Sequence, residues 1–249
     1  MNKELFKSDK TVHTARTIMF EELSIIMNYT EHLENPLVAL EQNVSGKQTM
    51  KNLNRTNAAL KTLYVFDNNF IPFVLFKHFW QISEESDKNY LTLIFAIGTD
   101  YLFRDSKDII LSLQPGESVK SSTLAQFIAS KYENKFTPIT MASASRNLIS
   151  SWKQVNYLSK GKNNIRLKTA PGIHAVTFAF LISYLNGDRG SFLFQSQWVK
   201  VLDCSDDYLH NSLMEASGQD LLAYKSSGSV RIINFDNFLG KLGMYGLQS

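Results

Sequence analysis

The chain has 249 residues, of which 44% are hydrophobic and 12% aromatic, so it can bury a sizeable core, and a disordered chain is excluded. A single cysteine, Cys204, excludes an internal disulfide framework and fits a reducing compartment. The net charge of +3 says little about partners, but its distribution is uneven: residues 119–170 hold nine Lys/Arg against one acid, Glu133, while the rest of the chain holds 17 basic and 22 acidic residues.

The start, Met1-Asn2-Lys3-Glu4-Leu5-Phe6, carries an early acid and no apolar run, so no signal peptide is expected. No stretch reaches the ~18–20 apolar residues of a bilayer span. The apolar runs Phe70–Trp80 and Ile173–Leu185 read as buried helices. Together these features predict a cytoplasmic protein with no membrane partner.

The first third reads helical. Val12, Ala15, Met19, Leu23 and Ile26 fall on one stripe and predict a helix over Thr11–Met27. Asn35-Pro36 has the form of an N-cap followed by proline at the first helical position, opening a short helix to about Asn43. Ser45-Gly46 stops it. Helices follow over about Gln48–Phe66, Phe70–Ser83 and Lys88–Phe103, giving a five-helix bundle over residues 1–104. The charges of the third helix include Lys51, Arg55 and Lys61, a second basic surface that a solvated face explains equally well.

Residues 105–170 form the second expected domain. A helix near Asp105–Leu113 precedes the breaker Gln114-Pro115-Gly116, and Ser121–Tyr132 has an apolar face of Leu124, Phe127 and Ile128. Thr137-Pro138 opens a third helix to about Val155. Tyr157-Leu158, a polar tip Ser159–Asn164 and the alternating Ile165-Arg166-Leu167-Lys168 then read as a β-hairpin. Three helices and a hairpin are the order of a winged helix-turn-helix. The expected third domain, residues 171–249, repeats that order. It has helices over His174–Leu185, Ser191–Leu202 and Asp206–Ala216, then a hairpin of Leu221–Lys225 and Ser229–Phe235 about the tip Ser226-Ser227-Gly228. The predicted fold class is therefore mainly α, with a helical bundle, a basic winged helix and a second winged-helix-like module.

At 100° per residue, Met141, Leu148, Trp152 and Val155 make the core seam of the helix after Thr137. Ser143, Arg146, Asn147, Ser150, Lys153 and Gln154 fall on the opposite side, with no carboxylate among them. Arg and Lys suit guanine edges, Asn and Gln suit adenine edges, and Ser takes bases or phosphates. On the hairpin, Lys160, Lys162, Asn163, Arg166 and Lys168, with Lys120 ahead of the preceding helix, would position the module on phosphates. The expected partner is double-stranded DNA. An ordinary solvated helix face is the competing interpretation, but such faces usually mix Glu with Lys.

Catalytic and metal signals are poor. His13, His32, His78, His174 and His210 lack ligand spacing, and His174 on its apolar helix and Cys204 read as core residues. Ser45-Gly46-Lys47 and Lys160-Gly161-Lys162 lack the upstream glycine of a phosphate-binding loop. Gly240, Gly243 and Gly246 lack a strand–turn–helix context. No cofactor, metal site or catalytic residue is expected.

Glu21-Glu22, Asn54-Arg55-Thr56-Asn57-Ala58-Ala59-Leu60, Asn147–Gln154 and Tyr224–Val230 together resemble the BrxA family of bacteriophage-exclusion (BREX) defence systems, over roughly residues 10–235. The resemblance implies a non-catalytic, DNA-binding component that works beside other defence-system proteins, and it carries over no catalytic residues. A protein–protein adaptor within a defence complex and a transcriptional regulator are the alternatives. The regulator would be expected to dimerise on palindromic sites, and no coiled-coil heptads are present.

Overall fold

The computed structural model describes residues 5–6, 9–29, 35–228 and 230–244. His32, Ser229, Gly246 and residues 1–4 lie outside them. The described chain is mainly helical, with thirteen helices and one two-stranded sheet. None of these helices is long and apolar enough to cross a membrane. By compactness the chain divides into a larger unit, Phe6–Gln81 with Phe95–Lys168, and a smaller one, Met1–Leu5 and Ile82–Ile94 with Thr169–Ser249. The sequence division at residue 104 falls inside a helix.

The larger unit begins irregularly. Helix α1 spans Phe20–Tyr29, not Thr11–Met27. Met19 takes a φ of 55°, a left-handed conformation that an α-helix cannot continue through. Several backbone groups around it find partners on distant side chains: Val12 N–H donates to Asp100 (2.7 Å), Ile18 N–H to Ser151 Oγ (2.8 Å) and Phe20 N–H to Gln154 Oε1 (3.0 Å). The apolar stripe is real in that Val12, Met19, Leu23 and Ile26 are all buried, but only half of it is helical.

Helix α2, Pro36–Glu41, starts as expected, with Asn35 Oδ1 accepting from Leu37 N–H. Helix α3 (Met50–Tyr64) is capped by Thr49, and α4 (Ile71–Ile82) buries Phe73, Phe76, Phe79 and Trp80. Around them Tyr64, Phe66, Phe70 and Phe95 form an aromatic cluster with centroids 5.0–6.4 Å apart. Offset and edge-on ring pairs of this kind add to area burial.

Helix α5, Glu85–Thr99, is followed directly by α6, Tyr101–Leu111. The single helix expected over 88–103 is broken because Asp100 turns extended and caps α6, its Oδ1 accepting from Phe103 N–H at 2.9 Å. Helices α7 (Ser121–Lys131) and α8 (Pro138–Gln154) pack on each other. The expected hairpin after α8 is reduced to isolated antiparallel pairings, Leu158 with Arg166 and Ser118 with Ile165. The short segment before α7 thus pairs with the 164–166 side of the turn, which itself pairs with Leu158.

In the smaller unit, α9 (Ile173–Leu185) is apolar on all sides and buries ten of its residues. Its start is held by Asp87, whose carboxylate accepts from Gly172 N–H (2.6 Å) and Ala175 N–H (3.2 Å). A Cβ at residue 172 would lie 2.7 Å from Asp87 Oδ2, so glycine is required there by that approach. The helix expected over 191–202 is two short pieces, α10 (Phe192–Gln195) and α11 (Gln197–Lys200), because Ser196 turns extended and caps the second. Helix α12 (Asp206–Gly218) leads to the antiparallel pair β1 (Ala223–Ser227) and β2 (Val230–Asn234), in register Tyr224↔Ile233, and α13 (Asp236–Lys241) follows.

Candidate nucleic-acid interface

Helix α8 owes its start to Thr137, whose hydroxyl accepts from Thr140 N–H, and to Pro138 in the first turn. Its core side carries Ala144, Leu148 and Trp152. The Trp152 indole N–H donates to Ser106 Oγ at 2.9 Å, and its ring lies 4.7 Å from Phe103 and 5.2 Å from Tyr157. Trp152 is thus both apolar filler and a satisfied donor, and it fixes the rotation of α8 about its axis.

That rotation divides the polar residues of α8 in two. Asn147 and Gln154 face the 11–20 segment: Asn147 Nδ2 donates to His13 O (2.9 Å), and Gln154 Nε2 donates to Thr17 Oγ1 (3.1 Å) and Ser150 Oγ (3.4 Å). Gln154 also accepts from Phe20 N–H. Both were expected to read bases, and both instead have amide groups engaged inside the fold. Arg146 is exposed, while Ser143, Ser150 and Lys153 are half-buried. Lys153 Nζ donates to Gly161 O at 2.9 Å and so ties the turn to the C-terminal half of α8.

In the turn, Lys160, Gly161, Lys162 and Asn163 are exposed, and Lys168 is exposed just beyond. Asn164, at φ 47°, donates through its amide to Val119 O (2.8 Å), fastening the base of the turn to the segment that enters α7. Arg166 departs from expectation. It is 1% exposed, its guanidinium lies 4.7 Å from the centre of the Tyr157 ring, and it donates to Leu167 O. It stiffens the turn from inside and is removed from any outer face.

Of the other cations of 119–170, Lys131 pairs with Asp105 at 2.8 Å, and Lys135 lies 4.2 Å over the Tyr101 ring. Five remain: Lys120, Arg146, Lys160, Lys162 and Lys168 are exposed, and their side chains enter no hydrogen bond, ion pair or ring contact among the described residues. Lys51, Arg55 and Lys61 are likewise exposed on α3.

One buried constellation escaped the sequence reading. His13 Nδ1 lies 2.9 Å from Asp100 Oδ2, and His13 Nε2 lies 3.0 Å from Ser151 Oγ, with the ring stacked on Phe103. The three residue types are those of a hydrolytic triad, but the wiring differs. Ser151 sends its proton to Asn147 O (2.8 Å) and accepts from Ile18 N–H, so the facing ring nitrogen must donate, the reverse of nucleophile activation. All three side chains are sealed in the core. Burial alone would raise the Asp100 carboxyl. The charge and hydrogen bond of His13, with N–H groups from Phe103 and Val12, outweigh it and hold that carboxyl below the ordinary value. The cluster is a clasp for the 11–20 segment. No sequence signal marks it, since its members are 87 and 138 residues apart in pairing order.

In the smaller unit a cleft of about 590 Å³ is lined by Glu84, Asp87, His174, Tyr208 and Glu215 among others. His174 is half-exposed there rather than a core residue. Asp87 is occupied by the start of α9. The Cys204 thiol is half-buried, donates to Leu202 O at 3.3 Å, and is pushed up to about 11 by burial. Among the described residues no group of His, Cys, Asp and Glu could hold a metal ion.

No family model, curated protein or solved structure matches the chain.

Proposed function

We propose that the protein binds duplex DNA through a winged helix-turn-helix in its larger unit, with α8 as the helix presented to the groove and the 159–164 turn as the wing. The reading is carried by the five exposed cations that have no partner among the described residues, Lys120, Arg146, Lys160, Lys162 and Lys168, in a stretch whose one acid is Glu133. Cations already paired inside a protein give little to a phosphate backbone; unpaired ones release counterions when they meet it. The order of α7, α8 and the turn, with Ser118 paired to Ile165 and Leu158 to Arg166, supports the winged-helix assignment. The contacting set is narrower than the sequence alone suggests: Arg146, Ser143, Ser150, Lys153, Lys120, Lys160, Lys162, Asn163 and Lys168 remain in it. In this reading the protein is a non-catalytic component. Its place in a BREX-type phage-defence system, in the cytoplasm and beside other defence proteins, is proposed on the BrxA resemblance alone.

The test is a salt titration of binding to duplex DNA, single-stranded DNA and RNA. Duplex binding should weaken with log[salt] at a slope of about −0.9 per phosphate contacted. Combined Arg146→Glu, Lys160→Glu and Lys162→Glu should remove binding and leave the circular dichroism spectrum unchanged. A protein–protein adaptor is the second reading, favoured by the exposed Asp206, Asp207 and Glu215 of α12. Negligible duplex affinity at low salt, with partners co-purifying, would establish it in place of the first.

A further inference from the structure

The outward stripe of α8 carries one residue that charge does not explain. Ile139 sits in the first turn of the helix and is 83% exposed, more than any other large hydrophobic side chain among the described residues. At 100° per residue it falls within about 20° of Arg146 and Ser150 and about 40° of Ser143 and Lys153. It therefore shares the face of the unpaired Arg146. Its neighbours on that face, Ala142 and Ser143, are small, so the branched side chain stands proud of a low surface. Nothing in the local structure calls for it. The turn is already set by Thr137 and Pro138, and a β-branched residue is not favoured in a helix for its propensity.

We infer that Ile139 is a specificity residue that contacts the C5-methyl group of thymine in the major groove. The inference rests on the DNA-binding reading above. Thymine methyl is the apolar group that a base pair offers in the major groove, and aliphatic side chains are its usual contacts. Helices that read the groove do so with the residues of their N-terminal part, where Ile139 lies. The positive charge of Arg146 on the same face, and of Lys160 and Lys162 in the turn tied to the C-terminal half of α8, complements phosphates, which favours nucleic acid over an apolar protein surface as the occupant. The division of labour follows: the cations supply affinity for any duplex, and Ile139 supplies a preference for T-containing steps.

The experiment compares alternating poly(dA-dT) with alternating poly(dA-dU), duplexes that present the same hydrogen-bonding edges and differ by the methyl. Wild-type protein should bind the thymine duplex about fourfold more tightly for each methyl it covers. Ile139→Ala should bind both equally and match wild type on poly(dA-dU). Ile139 is so exposed that the variant keeps the fold, checked by thermal unfolding. Equal wild-type affinity for the two duplexes would overturn the inference. So would a preference that survives in Ile139→Ala, since duplex stiffness would then be its source. An Ile139→Ala protein that loses a self-associated state in sedimentation, with the thymine preference intact, would also overturn it and make the residue a contact between copies. The underlying DNA reading fails separately, if the Arg146→Glu, Lys160→Glu, Lys162→Glu protein still binds; an absent methyl preference with intact charge dependence removes the role of Ile139 alone.

Discussion

Two segments of this chain, a helix with a turn in the larger unit and a helix with a strand pair in the smaller, carry their charges differently. In the larger unit, α8 and the turn after it expose Arg146, Lys160, Lys162 and Lys168 with no partner among the described residues. In the smaller unit, Arg231 of β2 meets Asp206 of α12 at 3.3 Å and lies 4.3 Å over Phe194, and Lys241 of α13 meets Asp220 at 3.2 Å, while Lys225 of β1 is exposed. The exposed side of α12 carries Asp206, Asp207 and Glu215. The same order of elements therefore does not imply the same partner. A surface proposed to meet phosphates needs left-over cations without carboxylates among them, and α12 presents carboxylates.

The comparison breaks if both segments respond alike to charge reversal. Arg146→Glu, Lys160→Glu and Lys162→Glu together should cut duplex affinity by at least about a hundredfold at low salt, through loss of phosphate contacts and new repulsion. Lys200→Glu with Lys225→Glu, both exposed in the smaller unit, should change it less than about threefold. Mobility shift at fixed ionic strength reads both. Equal losses would mean that the net charge of the molecule, and no particular ridge, drives binding.

A second contrast lies between two buried carboxylates. Asp100 clasps the 11–20 segment and caps α6; Asp87 caps α9 alone. Asp100→Asn breaks a buried ion pair and should cost about 3–5 kcal/mol in chemical denaturation, against about 1.5–3 kcal/mol for Asp87→Asn, which loses charge-assisted hydrogen bonds. The pH dependence separates them further. The folded-state value of Asp100 is depressed, so the folded protein binds fewer protons than the unfolded chain across that interval. Its contribution is complete above the unfolded carboxyl value of about 3.9 and is lost as pH falls through the lower folded value. Wild-type stability should therefore decline on acidification below about pH 4, and more shallowly in Asp100→Asn. An unaltered acid limb would refute the clasp. Gly172→Ala sharpens the other side: its Cβ would press on Asp87 Oδ2, and about 1–3 kcal/mol should be lost in the smaller unit.

Where the sequence was legible, the cause was local. Asn35-Pro36 and Thr137-Pro138 announce α2 and α8 because capping is decided within four residues. Where it misled, a distant group decided. The Val12–Ile26 stripe continues in pattern, but side chains of Asp100, Ser151 and Gln154 hold its first half out of the helix. Ser196 and Asp100 look like helix-interior residues in an apolar run, yet each caps a new helix. At the site, the charge imbalance of 119–170 was visible directly. Which cations face outward was not: the alternation Ile165-Arg166-Leu167-Lys168 gives no hint that the guanidinium turns in over Tyr157 while Leu167 is 37% exposed.

The smallest effect tests the division of α8 itself. Asn147 has the chemistry of an adenine reader, but its amide donates to His13 O at 2.9 Å and helps hold the clasped segment. Asn147→Ala should therefore lower stability by about 1 kcal/mol, the worth of one hydrogen bond, and leave duplex affinity within about twofold of wild type. Arg146→Ala, one residue earlier and about 100° around the helix, should do the reverse, weakening binding and reducing the salt slope by about 0.9 with no change in unfolding midpoint. If Asn147→Ala weakened binding while leaving the midpoint untouched, the 11–20 segment would have to leave α8 when DNA arrives, and the flank that contacts it here would belong to the interface.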